Sequence, residues 1–281
     1  MIGIFKKIAF LVLVLGCTAL FAHGQRKGSL FIIGGGERPP ALMKELVSTA
    51  ALRQTDYVVI LPMATSVPEE TIAYFSSQLS GLCNNLITSF NFNRAQANDN
   101  QSWIDSVKNA RLIYITGGDQ NKFMAVVSGT KLYDALHHAF RNGATIAGTS
   151  AGAAVMSQIM ITGEERNKTN KSNFQEITRN NTLTAQGMGF ITSAVIDQHF
   201  IVRSRYNRLL GLLADHPKKM VIGIDESTAI IVKNNEARVV GESQVVVVTA
   251  PKKLHTTDKG KHGFKNAKLS LFLAGERFKL K

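Results

Sequence analysis

In the first half of the chain, three short apolar runs each stop abruptly at a cluster of small residues. Leu30 to Ile33 is followed by Gly34-Gly35-Gly36, Leu112 to Ile115 by Thr116-Gly117-Gly118, and Ala144 to Ala147 by Gly148-Thr149-Ser150-Ala151-Gly152-Ala153. Runs this short suit buried strands, and glycine lets the chain turn sharply where they end. A further run with β-branched residues spans Tyr57 to Pro62. Helical patterns cover about Ala41 to Leu52, Pro68 to Leu79, Leu132 to Phe140 and Ala151 to Ile159. Pro68-Glu69-Glu70 suits a first helical turn, and Asn142-Gly143 a helix stop. Strands alternating with helices predict an α/β fold: a mostly parallel, doubly wound sheet with helices on both faces. Such folds bind ligands at the carboxyl ends of their strands.

The tail has another character. Ala229 to Val232, Ala237 to Val240 and Val245 to Thr249 are β-rich, with turn signals at Asn234-Asn235 and Gly241-Glu242. They predict a β-meander extending one edge of the sheet. Leu269 to Leu273 suits a last strand. Residues 25–281 read as one α/β domain, of which about 229–281 form the β-rich C-terminal part.

The N-terminus reads as an export signal. Lys6 and Lys7 precede an apolar run from Ile8 to Leu20, and Ala22-His23-Gly24 supplies a small-residue cleavage site. Residues 1–24 are therefore expected to be removed, leaving a periplasmic or extracellular protein. A second reading takes Val14-Leu15-Gly16-Cys17 as a lipobox, with membrane attachment only if Cys17 is lipidated. The whole chain has 281 residues, two cysteines and a formal net charge of +13. Two cysteines exclude a disulfide-stapled scaffold, and Cys83 reads as a buried apolar residue rather than a nucleophile.

The sharpest chemical feature is Gly148-Thr149-Ser150-Ala151-Gly152-Ala153. It is G-x-S-x-G between a strand and a helix, the context of a nucleophile elbow. Small neighbours let strand and helix approach closely, and the Ala151 N–H is then aimed at an oxyanion. Thr116-Gly117-Gly118-Asp119-Gln120 suits the second oxyanion donor, from Gly118. A phosphate-binding reading of that loop lacks the lysine it needs. Gly34-Gly35-Gly36 is not a dinucleotide fingerprint, since Pro39 occupies the position of the last glycine.

A serine nucleophile needs a base, and the base an orienting acid. His23 goes with the signal, His137 and His138 lie mid-helix, and His255 and His262 sit in the basic tail. His199, in Asp197-Gln198-His199-Phe200, follows the strand-like Ala194-Val195-Ile196 and is the better candidate. His216, at a helix end, is the other. Glu226 is the candidate acid, after the strand-like Met220 to Ile224, with Asp225 competing. Arg203, Arg205 and Arg208 follow His199 on a helical pattern. Arg205 and Arg208 share a face. They suit either a solvated surface or bidentate binding of substrate carboxylates.

These segments, Gly117-Gly118-Asp119-Gln120, the Ser150 turn, Asp197-Gln198-His199-Phe200 with its spaced arginines, and Gly223-Ile224-Asp225-Glu226, together resemble the cyanophycinases. That serine peptidase family also holds the aspartyl dipeptidases, and its fold is similar to class I glutamine amidotransferases. The resemblance runs from about Gly34 to the C-terminus. It implies Ser150 as nucleophile, His199 as base and Glu226 as orienting acid, with Gln120, Asp197, Gln198, Arg203, Arg205 and Arg208 lining the substrate pocket. The implied substrate is cyanophycin, a polyaspartate bearing arginine on its β-carboxyls, and the product β-aspartyl-arginine. The implied assembly is a homodimer. No cofactor or metal is expected. The export signal departs from the cytoplasmic members. The polar segment from Gly163 to Gly187 matches no motif of the family.

Three rival readings remain. An aspartyl or isoaspartyl dipeptidase would act on short peptides. An α/β-hydrolase esterase would use the chain order Ser150, then Asp197 or Asp215, then His216. An exported polyanion-binding protein would use the basic tail, where Pro251 to Lys281 holds nine Lys/Arg against two acids. No nucleic-acid-binding motif supports that reading, and no nucleic-acid partner is expected.

Overall fold

The structure, a computed structural model, describes residues 27–167 and 176–280. The expected signal segment and Cys17 lie outside them. The elements run β1 (Ser29–Ile33), α1 (Pro40–Ala50), β2 (Tyr57–Leu61), α2 (Pro68–Leu79), β3 (Leu86–Ser89), α3 (Gln96–Asp99), α4 (Gln101–Asn109), β4 (Leu112–Ile115), α5 (Gln120–Val127), α6 (Lys131–Arg141), β5 (Thr145–Thr149) and α7 (Ala151–Ala154). There follow β6 (Ile159–Glu165), β7 (Thr182–Gln186), β8 (Ala194–Gln198), α8 (Tyr206–Asp215), β9 (Met220–Ile224), β10 (Thr228–Lys233), β11 (Glu236–Gly241), β12 (Val245–Thr249), β13 (Lys252–Thr256), β14 (His262–Lys265), β15 (Lys268–Phe272) and β16 (Arg277–Lys279).

The main sheet has eight strands in the order β16-β11-β10-β1-β5-β4-β2-β3. From β1 to β3 every pairing is parallel. Successive strand residues face opposite sides, so each parallel strand needs cover on both. Leu30 and Ile32 of β1 join one buried cluster with Ile104 of α4, Phe123 of α5 and Leu136 of α6. Phe31 and Ile33 join another with Leu42 and Leu46 of α1 and Phe75 of α2. This is the doubly wound arrangement the alternating runs predict.

The tail departs from expectation. β10 and β11 do extend the sheet, antiparallel, on the β1 side, so the whole sheet is mixed. β12 does not follow them. It pairs with β9 and β15 in a second sheet, ordered β15-β12-β9-β8. The reason is burial. Val245 to Val248 are all buried, and a continuous valine run at a sheet edge would leave one face wet. In the second sheet, Val246 and Val248 pack with Leu209, Leu212 and Leu213 of α8. Leu269 to Leu273 is realised as β15, and β16 is a further strand that returns to the main sheet.

A second departure follows Ser150. The helix predicted to Ile159 is the single turn of α7, and β6 begins at Ile159. The carbonyls of Val155 and Met156 are taken by the N–H groups of Met188 and Ile191, which ends the helix. β6 pairs with β7, so two strands flank part of the polar segment. Cys83 is half-buried against the second cluster. No described helix is long and apolar enough to cross a membrane.

Candidate active site

The parallel strands end on one edge, where the small residues follow them. Ser150 comes directly off β5. Its backbone is in the left-handed region, with φ 52° and ψ −107°, and its N–H donates to the Ile33 carbonyl at 3.1 Å. A serine in that conformation is strained and persists only because its surroundings hold it. The elbow also needs glycine. A Cβ at Gly148 would lie 2.3 Å from the Gly152 carbonyl oxygen, and one at Gly152 would lie 2.3 Å from that of Ile115. Strand and helix start are therefore in backbone contact on both sides of the serine.

His199 follows β8 and also has a positive φ, 49°. Its N–H donates to the Gly34 carbonyl at 2.8 Å, which ties the end of β8 to the end of β1. The ring lies so close to Gly35 that a Cβ there would stand 2.2 Å from it. Its Nε2 meets Ser150 Oγ at 2.8 Å, and its Nδ1 meets Glu226 Oε1 at 2.5 Å. With a proton on Nδ1 donated to the carboxylate, Nε2 accepts from the serine hydroxyl. Burial of the ring, helped by the charges of Arg203 and Arg205, holds its pKa below the ordinary value; Glu226 opposes the shift. The imidazole is thus neutral and able to accept a proton at pH 7.

The choice between the adjacent carboxylates is resolved. Glu226 meets the imidazole, whereas Asp225 turns away. Asp225 accepts from the N–H groups of Ile201 and Val202, both at 3.0 Å, and from Ser243 Oγ at 2.7 Å. It fastens the turn that carries His199. The imidazole beside Ser150 is His199, and His216 caps the end of α8. Asp215 accepts from His262 Nε2 at 2.9 Å. The esterase order through His216 thus has no counterpart at the Ser150 hydroxyl.

Ala151 opens α7, where backbone N–H groups have no partner within the helix. Gly117 lies against the serine, since a Cβ there would be 3.5 Å from Ser150 Cβ, and Gly118 lines the same cavity. No backbone carbonyl among the described residues accepts from Gly118 or Ala151. Both N–H groups remain available as donors.

The remaining expected residues are placed unevenly. Asp197 is fully buried and accepts from Arg208 through two hydrogen bonds, with Nε to Oδ2 at 2.7 Å. Arg205 stands 3.6 Å from the same carboxylate and donates to the Gln198 carbonyl at 2.6 Å. Arg205 and Arg208 do share a face, but that face turns inward onto Asp197. Burying those two charges is tolerable only because they neutralise each other. The expectation that Asp197 and Arg208 line the substrate pocket is corrected accordingly: they stiffen the segment behind His199. Gln120 is buried too, donating to the Ile161 carbonyl at 2.9 Å. Gln198 Oε1 is buried without a partner, and Arg203 is exposed.

A cavity of about 420 Å³ opens beside Ser150 and His199. Its wall brings in residues that sequence reasoning missed, among them Arg38, Glu70, Tyr74, Tyr114 and Thr149. Arg38 adjoins the Gly34-Gly35-Gly36 cluster and Thr149 lies within the Ser150 turn, the one local signal that pointed to them. Glu70 and Tyr74 carry none, because α2 reaches the site only through packing.

The profile of peptidase family S51 matches residues 30–240. The chain is similar to a cyanophycinase of Trichormus variabilis, 36% identical over 148 residues, which are 52% of this chain and 47% of the relative. It is 34% identical to the cyanophycinase of Geminocystis herdmanii over 157 residues, 55% of each chain. A peptidase E of Nostoc is 27% identical over 139 residues, 50% of this chain and 56% of the relative. The matches thus span about half the length of these curated relatives. Among solved structures, a peptidase from an acI-B1 actinobacterium superposes with a TM-score of 0.67, at 24% identity, over 91% of this chain and 98% of the other. That similarity establishes the shared fold. With most of the chain under one family profile, and a serine, a histidine and a glutamate joined at its strand ends, the chain belongs to peptidase family S51, a family of serine-type peptidases.

Proposed function

We propose that the protein is a serine peptidase that releases β-aspartyl-arginine from cyanophycin. The observation that carries the reading is the chain Ser150 Oγ to His199 Nε2 at 2.8 Å and His199 Nδ1 to Glu226 at 2.5 Å, beside an open cavity. Ser150 Oγ attacks a backbone carbonyl of the aspartyl chain and its proton passes to His199 Nε2. The negative charge forming on the carbonyl oxygen is held by the Gly118 and Ala151 N–H groups. The C–N bond breaks, His199 returns the proton to the leaving amine, and an ester remains on Ser150. Water then attacks the ester, losing its proton to His199, and the serine is regenerated. Glu226 keeps the imidazole in the required tautomer throughout.

Cyanophycin is favoured over short peptides by two things: identity to cyanophycinases exceeds that to peptidase E, and the Asp197-Gln198-His199-Phe200 segment with its arginines resembles theirs. We also propose that the enzyme is exported and works as a homodimer on polymer made by other cells. Incubation with insoluble cyanophycin, followed by mass analysis of the soluble fraction, tests the substrate. The expected result is β-aspartyl-arginine with the unaltered enzyme and none with Ser150→Ala. Faster turnover of aspartyl dipeptides than of polymer would reassign the enzyme to the dipeptidases. N-terminal sequencing of secreted material tests export, with a new terminus after Gly24 expected.

A further inference from the structure

β13 and β14 continue the β12–β15 pair in the same register: Thr249 faces Lys268 and, further along, Lys252 faces Lys265. Beyond that point they form a separate two-stranded ribbon. It holds five lysines, Lys252, Lys253, Lys259, Lys261 and Lys265, against the one acid Asp258. All five are exposed, and none has a carboxylate partner among the described residues. Lys252 and Lys265 lie directly across the strand pair from each other, an arrangement of like charges that costs stability. The ribbon is nonetheless held firmly. His262 Nε2 meets Asp215 Oδ1 at 2.9 Å, at the end of α8, and His262 Nδ1 meets Thr256 Oγ1 at 3.0 Å. The Gly260 carbonyl accepts from the Arg179 N–H at 2.9 Å, so the exposed Arg179 joins the lysines at the tip. Cations fixed in place without internal counter-charge favour an external anion.

An apolar stripe adjoins the ribbon. Leu269 and Leu271 of β15 pair with Val248 and Val246, so they lie on the face of the second sheet that α8 covers. α8 buries the two valines. β15 is the edge strand, and there Leu269 and Leu271 stay 61% and 50% exposed. Only Asn266, Ala267 and Lys268 separate Leu269 from Lys265 along the chain. Leu254 on β13 is exposed among the lysines themselves. Bare leucines on one face of an edge strand mark a surface that something else covers. Leucines beside lysines suit an anionic bilayer, which takes the leucines among its acyl chains and the ammonium groups at its phosphates. Nucleic acid is matched less well, because its bases stack on open aromatic rings. Phe264, Phe272 and Phe278 instead pack against the core clusters.

We propose that the β13–β14 ribbon and the leucine stripe of β15 form a docking surface for bilayers rich in anionic phospholipid. The lysines meet the headgroup phosphates, which relieves the repulsion between Lys252 and Lys265. Leu254, Leu269 and Leu271 sink below the headgroups. Because the attraction is between exposed charges, salt screens it and the docking is reversible. It needs neither a lipid on Cys17 nor the reaction at Ser150.

The test is flotation of the full chain with phosphatidylcholine vesicles, either neutral or carrying about 30% phosphatidylglycerol. The apolar run from Ile8 to Leu20 is the same in every arm, and the neutral vesicles read its contribution. We expect binding to the anionic vesicles to be about 100-fold tighter in low salt, and to weaken steeply as salt rises. Replacing Lys252, Lys253, Lys259, Lys261 and Lys265 together by glutamine should remove that preference. Lys252→Gln or Lys265→Gln alone should weaken anionic binding about fivefold. Leu269→Ser with Leu271→Ser should weaken it about tenfold and leave its salt dependence unchanged. Thermal unfolding, expected to match that of the unaltered chain, checks the fold of each variant. Equal binding to both vesicles, or an anionic preference that survives the five replacements, overturns the surface. Tighter binding to a DNA duplex than to anionic vesicles, lost with the same lysines, assigns the ribbon to nucleic acid and overturns the lipid reading. A leucine variant that binds vesicles as before but no longer self-associates overturns the role of the stripe, which a second copy then covers.

Discussion

Two polar clusters lie on either side of the turn at His199, and they differ in almost every physical respect. In one, Ser150, His199 and Glu226 line up at an accessible edge. Two of the three have strained backbones, and the Glu226 side chain is 33% exposed. In the other, Asp197 and Arg208 are withdrawn from solvent with Arg205 partly so, and Arg208 grips both oxygens of Asp197. The first cluster is one chain of hydrogen bonds that ends on the Ser150 hydroxyl at the cavity. The second spends its charge on itself and holds the frame. The two clusters thus divide between chemistry and rigidity according to whether their hydrogen bonds lead to the cavity or close inside the protein.

Substitutions should break this division cleanly if it holds. The largest effect belongs to the first cluster. Ser150→Ala and His199→Ala should each lower kcat by about 10⁴-fold or more, while thermal unfolding shows the native fold intact. A loss of folding in either would place these residues with the frame instead. Next, Arg208→Ala leaves the buried Asp197 with only Arg205, 3.6 Å away, to offset its charge, and should reduce the free energy of unfolding in denaturant by about 3 kcal/mol. A stability unchanged by that variant would mean the buried pair holds nothing.

Asp225→Ala tests the boundary between the clusters. It frees two backbone N–H groups beside the His199 turn, which costs about 1–3 kcal/mol of stability. Activity should also fall, through misplacement of the imidazole, with kcat more affected than KM. The smallest effect concerns pH. His199 must be neutral to act, and its pKa is held below its ordinary value, so the midpoint of the acid limb of activity should lie below that of an ordinary imidazole. Arg203→Gln removes a cation that helps to hold that pKa down, so the acid limb of kcat/KM should move upward by less than one pH unit. A limb that stays put would show that burial alone sets it.

Much of this was legible in the sequence because it is local. Ser150 announces itself through contiguous small residues, and the requirement for them is steric: Gly148 and Gly152 are in backbone contact with their neighbours. His199 is legible because it ends a strand. β2, β4 and α2 are short-range patterns of burial and capping, and they fall where expected. The fate of Val245 to Thr249 was not legible, since a valine run reads as a strand in any sheet and its partner is chosen by which faces need cover.

The amino-acid order by itself determined the alternation of strand and helix, the glycine-lined elbow and the identity of the serine and histidine, because each depends on neighbours within a few residues. Tertiary structure alone decided that Glu226 rather than Asp225 meets the imidazole, that Arg208 faces Asp197, and that Arg38 stands by Tyr114 and Thr149. Adjacent carboxylates on one turn point in different directions, and a buried charge is assigned its role by whatever the fold brings within reach of it. Those partners are brought together only when the sheets close, from segments far apart along the chain.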